Sequence, residues 1–530
     1  MDETTRKKDS LTSQGAWIMF AKVIGFVLSF FLPLITVRFL DQEKVGLYRQ
    51  SFQVVANMVA ILPLGISMSA YYFLSREIEN RTSTIFNILL FNFTAGALAF
   101  FGLYFYPQIL GNIFKSEEMT QFAPLIGLVI WLFIFSTFLE VVALANREAR
   151  IATVSIILEQ FTKTVLMGGA VIMFGTVEAF LYAAIIQGVL QTIILMIYLN
   201  SRFPRFWKSF RLQFFREHLF YALPFGFSGL LWILQTDIHN YFVGYKFSAA
   251  EFAIYAYGCF QLPLIGVLQE STAAVLIPRM SELQSRGEKR EMLFLTVRVM
   301  EKLALFYFPV YVFLLITAEV IIITLFTRNY LASVPIMMIN LTLLPFSVWV
   351  IDPMVRAHKE LGRVLIISRI FFTIGLVIAL YFGIQHFDLR GMIIIVVINN
   401  ILEKITVGLI LAGKLGMKWE DWRFFQNVGK TALVSMFAGV ITLFAFREVK
   451  DVSFDLGASV TRVIFTSPSQ NVIDFVSGSL TLGVTFLIFV SIYIFGLHYL
   501  NLIDQKEREL ISKILRKLQN FFRKEQMQNP

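Results

Sequence analysis

The residues of this chain that could do chemistry are charged side chains inside long apolar stretches. The stretch from Gly15 to Phe39 is long enough to cross a bilayer as a helix, which takes about 20 residues, and it carries Lys22. If the bilayer begins near Leu11, Lys22 lies about 15 Å deep. A charge at that depth is costly and seldom faces lipid. We expect Lys22 to face a water-filled cavity; a snorkelling lysine on a helix that begins later is the alternative.

Lys22 belongs to a polar stripe with a period of seven residues. Gly15, Lys22, Ser29 and Thr36 are each seven residues from the last, and seven residues are nearly two helical turns. The four positions therefore lie on almost one face of the helix. We expect Ser29 and Thr36 to line the same cavity as Lys22.

Other spans carry charges as well. The possible cavity cations are Lys163, Arg369 and Lys404, and the possible anions or proton carriers are Glu140, Asp237 and Glu270. Glu159 and Lys163 are four residues apart and can pair on one helix face. Glu403 and Lys404 are adjacent, so they point about 100° apart and cannot share one site. For each of these residues a purely structural role is the alternative; the coupling carboxylates we expect are Asp237 and Glu270.

The sequence gives little support for metal, redox or enzymatic chemistry. Cys259 is the one cysteine and the five histidines are scattered, so a cysteine-cluster or zinc site is not expected. Asp41-Gln-Glu43 is similar to the acidic pair of membrane glycosyltransferases, but a pair of solvated carboxylates explains it. The sequence contains no Walker A motif (Gly-x-x-x-x-Gly-Lys-Ser/Thr) and no Gly-x-Ser-x-Gly elbow. We expect no cofactor and no enzymatic activity.

Composition predicts an all-α polytopic membrane protein. Of the 530 residues, 57% are hydrophobic and only 15% are charged, against about 25% charged in soluble proteins; the mean hydropathy is +0.69. The first apolar stretch lacks the features of a cleavable signal. Fourteen apolar spans are predicted, at 15–39, 52–74, 84–105, 122–145, 152–174, 178–200, 217–242, 253–277, 299–325, 332–355, 364–384, 390–412, 427–446 and 474–500.

The distribution of positive charge predicts the topology. We place the N-terminus inside and count Arg38, Arg390 and Lys430, which lie at the ends of spans, with the adjoining segments. The inner segments then hold 31 Lys and Arg residues, the outer segments hold 10, and five lie deeper within spans. This asymmetry places both termini in the cytoplasm. The external loops are short, the longest being Arg447–Asp474, and the net charge of +10 therefore does not indicate a nucleic-acid partner.

The chain reads as two repeated halves. Gly46-Leu47-Tyr48 and Ala253-Ile254-Tyr255 are 207 residues apart, and Phe174-Gly175 and Phe382-Gly383, which end spans five and eleven, are 208 apart. Near-constant offsets predict a parallel duplication of six spans. The expected organisation is an N-lobe at 1–200, a basic cytoplasmic linker at 201–216, a C-lobe at 217–412, two extra spans at 413–500 and a tail at 501–530. In the tail, apolar residues at helical spacing alternate with basic ones, which predicts an amphipathic helix on the anionic inner leaflet.

The order and spacing of several motifs resemble the multidrug/oligosaccharidyl-lipid/polysaccharide (MOP) exporter superfamily. The branch that the chain most resembles is that of the prokaryotic polysaccharide transporters, including O-antigen flippases. The motifs cover nearly the whole chain; they are Gly15-Ala-Trp…Lys22, Arg38-Phe-Leu-Asp…Val45-Gly46-Leu47-Tyr48, Pro63-Leu64-Gly65, Ala222-Leu223-Pro224-Phe225, Pro278-Arg279-Met280-Ser281 and Leu325-Phe326…Tyr330-Leu331-Ala332-Ser333. The missing glycine before Tyr255 departs from the family pattern.

The resemblance implies a V-shaped pair of six-helix lobes that alternates between inward- and outward-facing states in the bacterial inner membrane. It implies that the substrate is an undecaprenyl-pyrophosphate-linked oligosaccharide, turned from the cytoplasmic to the outer leaflet. The further partners expected are membrane lipids and polysaccharide assembly proteins. Buried cations fit such a substrate, because they offset the cost of carrying a pyrophosphate through a low-dielectric layer. A cation-coupled multidrug exporter of the same superfamily is the alternative, and Asp237 and Glu270 favour it; a scaffold that recruits partners through its tail is a third.

Overall fold

A computed structural model describes residues 11–76, 80–208, 210–260 and 263–502 of the chain. The predicted tail helix therefore lies outside the described residues. The described α-helices are, in chain order, α1 (Leu11–Phe39), α2 (Gln42–Ile61), α3 (Ser69–Arg76), α4 (Arg81–Phe105), α5 (Gln108–Phe114), α6 (Glu117–Ser136), α7 (Phe138–Ala145), α8 (Ala149–Phe174), α9 (Val177–Arg202), α10 (Leu212–Lys246), α11 (Ala249–Gly258), α12 (Pro263–Ser285), α13 (Lys289–Phe326), α14 (Ser333–Leu341), α15 (Asp352–Ala357), α16 (Lys359–His386), α17 (Leu389–Lys414), α18 (Gln426–Ile464) and α19 (Gln470–Tyr499). Short 3₁₀ helices lie at Ile66–Met68, Phe206–Lys208, Arg328–Tyr330, Pro345–Val348 and Trp419–Phe425.

The number of membrane-length helices confirms the predicted fold class. Twelve helices in the described ranges are long and apolar enough to cross a bilayer, and the count is thirteen if the bent pair Gln42–Ile61 and Ile66–Leu74 forms one span. These match all the predicted spans except 253–277, where α11 and α12 lie on either side of a short undescribed stretch. The protein is an all-helical, multi-pass membrane protein, as its composition predicts. Helices suit this environment because they satisfy every backbone polar group within the segment.

Helix ends are fixed by the residue types that the sequence places there. Asp41 caps α2 by accepting a hydrogen bond from the Lys44 amide at 2.8 Å. Ser248 and Glu251 form a capping box at the start of α11. Gly175 ends α8 with a φ of 64°, a left-handed conformation that glycine adopts without strain. The acidic pair at Asp41 thus has a structural use, since one of its carboxylates holds a helix start.

The second predicted span is broken at Pro63-Leu64-Gly65. Its two helical parts are bent by 49°, and Leu64 and Gly65 have φ values of 46° and 74°. The backbone of α10 passes directly beside this turn, because a Cβ added at Gly226 would lie 2.3 Å from the Leu64 carbonyl oxygen. The break thus falls on one of the motifs that carry the family resemblance, and its contact with Gly226 was not predicted.

The described chain divides into two compact units. The first runs to Leu268 and includes Leu325–Asn340 and Arg363–Glu403. In it α1 packs along α8, α4 and α9 pack on α6, and α2 packs on both α6 and α11. Buried apolar residues of the first half fill its core, including Ile85, Phe138 and Leu195.

The second unit comprises Gln269–Thr324, Leu341–Gly362 and the chain from Lys404 onward. Its main feature is the long α18–α19 pair, where Ser453 and Thr481 share a hydrogen bond of 2.8 Å. A Cβ added at Gly457 would lie 2.5 Å from the Ser477 Cα. Small residues at such a seam let two helices approach closely.

Two local predictions were wrong. The external loop Arg447–Asp474 is mostly helical, because α18 continues to Ile464 and α19 begins at Gln470; the seam of small residues keeps the two helices paired beyond the apolar stretches. Gly383 does not end its helix, since α16 continues to His386, and the glycine instead gives room to Ile395. The organisation into an N-lobe and a C-lobe stays a prediction.

Candidate substrate-binding site

Four charged residues of the first half lie in electrostatic contact within the membrane helices. Lys22 of α1 lies close enough to Glu140 of α7 for mutual Coulomb attraction. On α8, Glu159 attracts Lys163 and is repelled by Glu140. We call Lys22, Glu140, Glu159 and Lys163 the first-half cluster. The structure thus brings the predicted cations Lys22 and Lys163 together with two carboxylates.

Close packing of α1 on α8 positions this cluster. A Cβ added at Gly25 would lie 3.3 Å from Gln160 Cγ, so the two helices meet one turn from Lys22. About one turn further along α1 and α8, the Thr164 hydroxyl donates to the Leu28 carbonyl at 3.0 Å. Lys22 itself is exposed, whereas Lys163 is half-buried. An exposed ammonium with a nearby carboxylate can release that partner in favour of an anionic ligand.

The remaining positions of the polar stripe have different surroundings. Ser29 is exposed, and its hydroxyl donates to the Phe26 carbonyl of its own helix at 2.8 Å. Thr36 is fully buried; its hydroxyl donates to the Pro33 carbonyl and lies 3.5 Å from the hydroxyl of Tyr257 in α11. The seven-residue spacing does put these side chains on one face, but packing against α11 covers its outer end.

Asp237 belongs to a network of polar side chains between α2 and α10. It accepts a hydrogen bond from Gln53, and Gln53 also donates to the side-chain oxygen Oδ1 of Asn57 at 3.2 Å. Asn240 donates to Gln53 at 3.3 Å and Asn57 donates to the Tyr241 hydroxyl at 3.1 Å. The network joins a helix of the first half to one of the second. The signal for this network in the sequence is the pair Gln53 and Asn57, two amide side chains one helical turn apart in a predicted span.

Arg369 lies in a second charged group, formed by α10, α16 and α17. Its Nε is 3.9 Å from Glu403 Oε1, and Gln235 donates to the other oxygen of that carboxylate. The Arg369 guanidinium also stacks over the Trp232 ring, 5.2 Å from the ring centroid. We call Trp232, Gln235, Arg369 and Glu403 the second-half cluster. Adjacent residues in α17 indeed point apart, because Lys404 instead donates to the Phe346 carbonyl at 3.4 Å.

Glu270, the other predicted coupling carboxylate, lies on α12 and is exposed. It belongs to the second compact unit, whereas Asp237 belongs to the first. Among the residues that the structure describes, no group of three or more His, Cys, Asp or Glu side chains could hold a metal ion.

The side of the molecule predicted to be external holds cationic residues that the sequence reasoning missed. Arg38 donates to the Leu325 carbonyl at 3.1 Å, and Arg49 stacks over Tyr257 at 5.3 Å. A Cβ added at Gly46 would lie 1.7 Å from the Ala249 carbonyl oxygen, so the starts of α2 and α11 touch backbone to backbone. The two motifs of the repeat, at Gly46-Leu47-Tyr48 and Ala253-Ile254-Tyr255, thus lie on helices that contact each other.

Comparison with known proteins agrees with this architecture. The family model described as polysaccharide biosynthesis protein matches residues 73–335. A MOP superfamily transporter from Pyrococcus furiosus, for which a binding pocket of reversed polarity is described, superposes with a TM-score of 0.56 at 17% identity, covering 78% of this chain and 99% of that one. No curated protein sequence matches.

Two structures of multidrug-resistance MATE-family transporters of the MOP superfamily also superpose. An inward-facing one has a TM-score of 0.59 at 17% identity, covering 76% of this chain and 94% of that one. An outward-facing one has a TM-score of 0.51 at 18% identity, covering 78% of this chain and 99% of that one. At such identities the similarity establishes the fold alone. Together with the polysaccharide-biosynthesis match, it agrees with the resemblance: this chain is a multi-pass membrane protein whose fold is similar to that of these MOP superfamily transporters, and its residues 73–335 are similar to the polysaccharide biosynthesis family.

Proposed function

We propose that the protein is a flippase that moves an undecaprenyl-pyrophosphate-linked oligosaccharide across the bacterial inner membrane by alternating access. The observation that carries the proposal is the first-half cluster, in which an exposed Lys22 lies within a membrane helix beside an exchangeable carboxylate. The polysaccharide-biosynthesis match over residues 73–335 supports the substrate class. The charge asymmetry supports a topology with both termini in the cytoplasm.

The cluster suits a pyrophosphate for electrostatic reasons. The substrate carries its negative charge into a low-dielectric layer, and nearby ammonium groups offset part of the cost. While no substrate is bound, Glu140 attracts Lys22 and Glu159 attracts Lys163. Binding exchanges a carboxylate partner for a phosphate partner, so no charge is left without a counter-ion.

A multidrug exporter is the second candidate, and two observations favour it. The fold is shared with MATE-family multidrug transporters, and Glu140, Glu159 and Asp237 are carboxylates within membrane helices. Such groups suit cationic substrates and coupling cations.

Export assays separate the two functions. The full-length protein is expressed in a bacterial strain that lacks its own O-antigen flippase, and surface glycan is measured beside the efflux of a cationic dye. The flippase proposal predicts restored surface glycan with unchanged dye accumulation. Dye efflux without glycan export would contradict it and favour the drug exporter.

A further inference from the structure

The second-half cluster contains buried polar atoms that have no hydrogen-bond partner. In the described ranges these include Gln235 Oε1 and Arg369 Nε. Gln235 is only 4% exposed, so solvent does not replace the missing partner. A buried polar atom without a partner destabilises the fold, because it has lost its hydrogen bonds to water and gained none in return. Arg369 and Glu403 form only a loose ion pair at 3.9 Å, with side chains 21% and 11% exposed. The group is therefore not optimised as a structural ion pair, which indicates a role in binding.

The depth of the cluster adds to this argument. Arg369 is ten residues from the start of α16 and Glu403 is eleven residues from the end of α17, so each lies about 15 Å from its helix end. A guanidinium and a carboxylate near the middle of a bilayer are expensive and mark functional sites.

The stacking of Arg369 leaves its donors available. The guanidinium lies over the Trp232 ring at 5.2 Å, and Trp232 is itself exposed. Stacking uses the face of the guanidinium, whereas its N–H groups lie in the plane and fit a phosphate bidentately. Glu403 has a second partner in Gln235, so this carboxylate keeps a hydrogen bond when it leaves Arg369.

We propose that Arg369 binds phosphate and that Glu403 pairs with its guanidinium while no anion is bound. An incoming phosphate or pyrophosphate group displaces this carboxylate. The inference rests on the proposed function, because the pyrophosphate of the lipid-linked substrate is the intended anion. It goes further by making the second-half cluster an anion-exchange site, in which Glu403 competes with the substrate for Arg369. Trp232 positions the Arg369 guanidinium, and Gln235 positions the Glu403 carboxylate.

The test is pyrophosphate binding to purified full-length protein in phosphatidylcholine nanodiscs, measured by calorimetry. Glu403→Gln should bind inorganic pyrophosphate about fivefold more tightly than the natural chain, because the competing charge is gone. Arg369→Gln should lose this binding, and Trp232→Leu should weaken it. Arg363→Gln is the matched control, since Arg363 is an exposed arginine on the same helix, and it should bind normally.

Unchanged affinity in Glu403→Gln, or unchanged binding in Arg369→Gln, would overturn the proposal. If Glu403→Gln does not fold, Glu403→Asp serves instead, because its shorter side chain draws the carboxylate away from Arg369; it too should tighten binding. Farnesyl pyrophosphate forms a second arm: tighter binding than pyrophosphate assigns the site to a lipid-linked group, and equal binding assigns it to the free anion. Neither result depends on glycan export, so failure of the export proposal would be seen separately.

Discussion

The first-half and second-half clusters hold membrane-embedded charges in two different ways. In the first, Lys22 is exposed, and the charges of α1, α7 and α8 interact through Coulomb forces between helices. In the second, Glu403 is buried and bound by Gln235 and Arg369. A buried charge that loses its partner is strongly destabilising, whereas an exposed one is solvated. The comparison shows that charges within the spans have no single setting: Lys22 of the first cluster is exposed, whereas Glu403 of the second is buried.

Removal of Glu403 should give the largest loss of stability. Glu403→Ala leaves Arg369 without its carboxylate in a mostly buried place, and we expect a loss of about 3 kcal/mol. Glu140→Ala should cost less than about 1 kcal/mol, because Lys22 remains solvated. Thermal unfolding in detergent, followed by the fraction of monodisperse protein, measures both. Equal losses for the two variants would break the distinction between the clusters.

Substitutions in the Asp237 network should cause an intermediate loss of stability. Asp237→Ala removes the acceptor of Gln53, and a lost hydrogen bond to a charged group costs about 1.5–3 kcal/mol. Asn57→Leu removes the bond to Tyr241 and should cost about 1 kcal/mol. The same unfolding assay compares them. If neither variant is destabilised, the network does not hold α2 to α10.

Substitution of Thr36 should cause the smallest change in stability. Thr36→Val keeps the shape of the side chain and removes only the Pro33 bond and the 3.5 Å approach to Tyr257, so we expect a change within about 1 kcal/mol and normal glycan export. Surface glycan labelling checks the second point. A loss of export at unchanged protein level would restore the interpretation that the whole stripe binds substrate.

Local features of the fold could be predicted from the sequence because they depend on nearby residues. Apolar length predicted the spans, and the position of Asp41 before a helix explains its cap. The partners of the charges could not be predicted in this way. Gln235 meets Glu403 across 168 residues of sequence, and such contacts depend on how each helix is rotated against its neighbours. Periodicity placed Thr36 beside Lys22 on one face, yet only the packing of α11 shows that this end is covered.

Lys22 tests the central claim most directly. The measurement is surface glycan in a flippase-deficient strain that produces Lys22→Ala, with the amount of protein in the membrane measured in the same cells. We predict that Lys22→Ala abolishes export at an unchanged protein level, that Lys22→Arg retains part of it because the charge survives, and that Lys289→Ala, at an exposed lysine where α13 begins, exports normally. Normal export by Lys22→Ala, or a loss that only follows lower protein abundance, would contradict the role of the first-half cluster in holding the pyrophosphate.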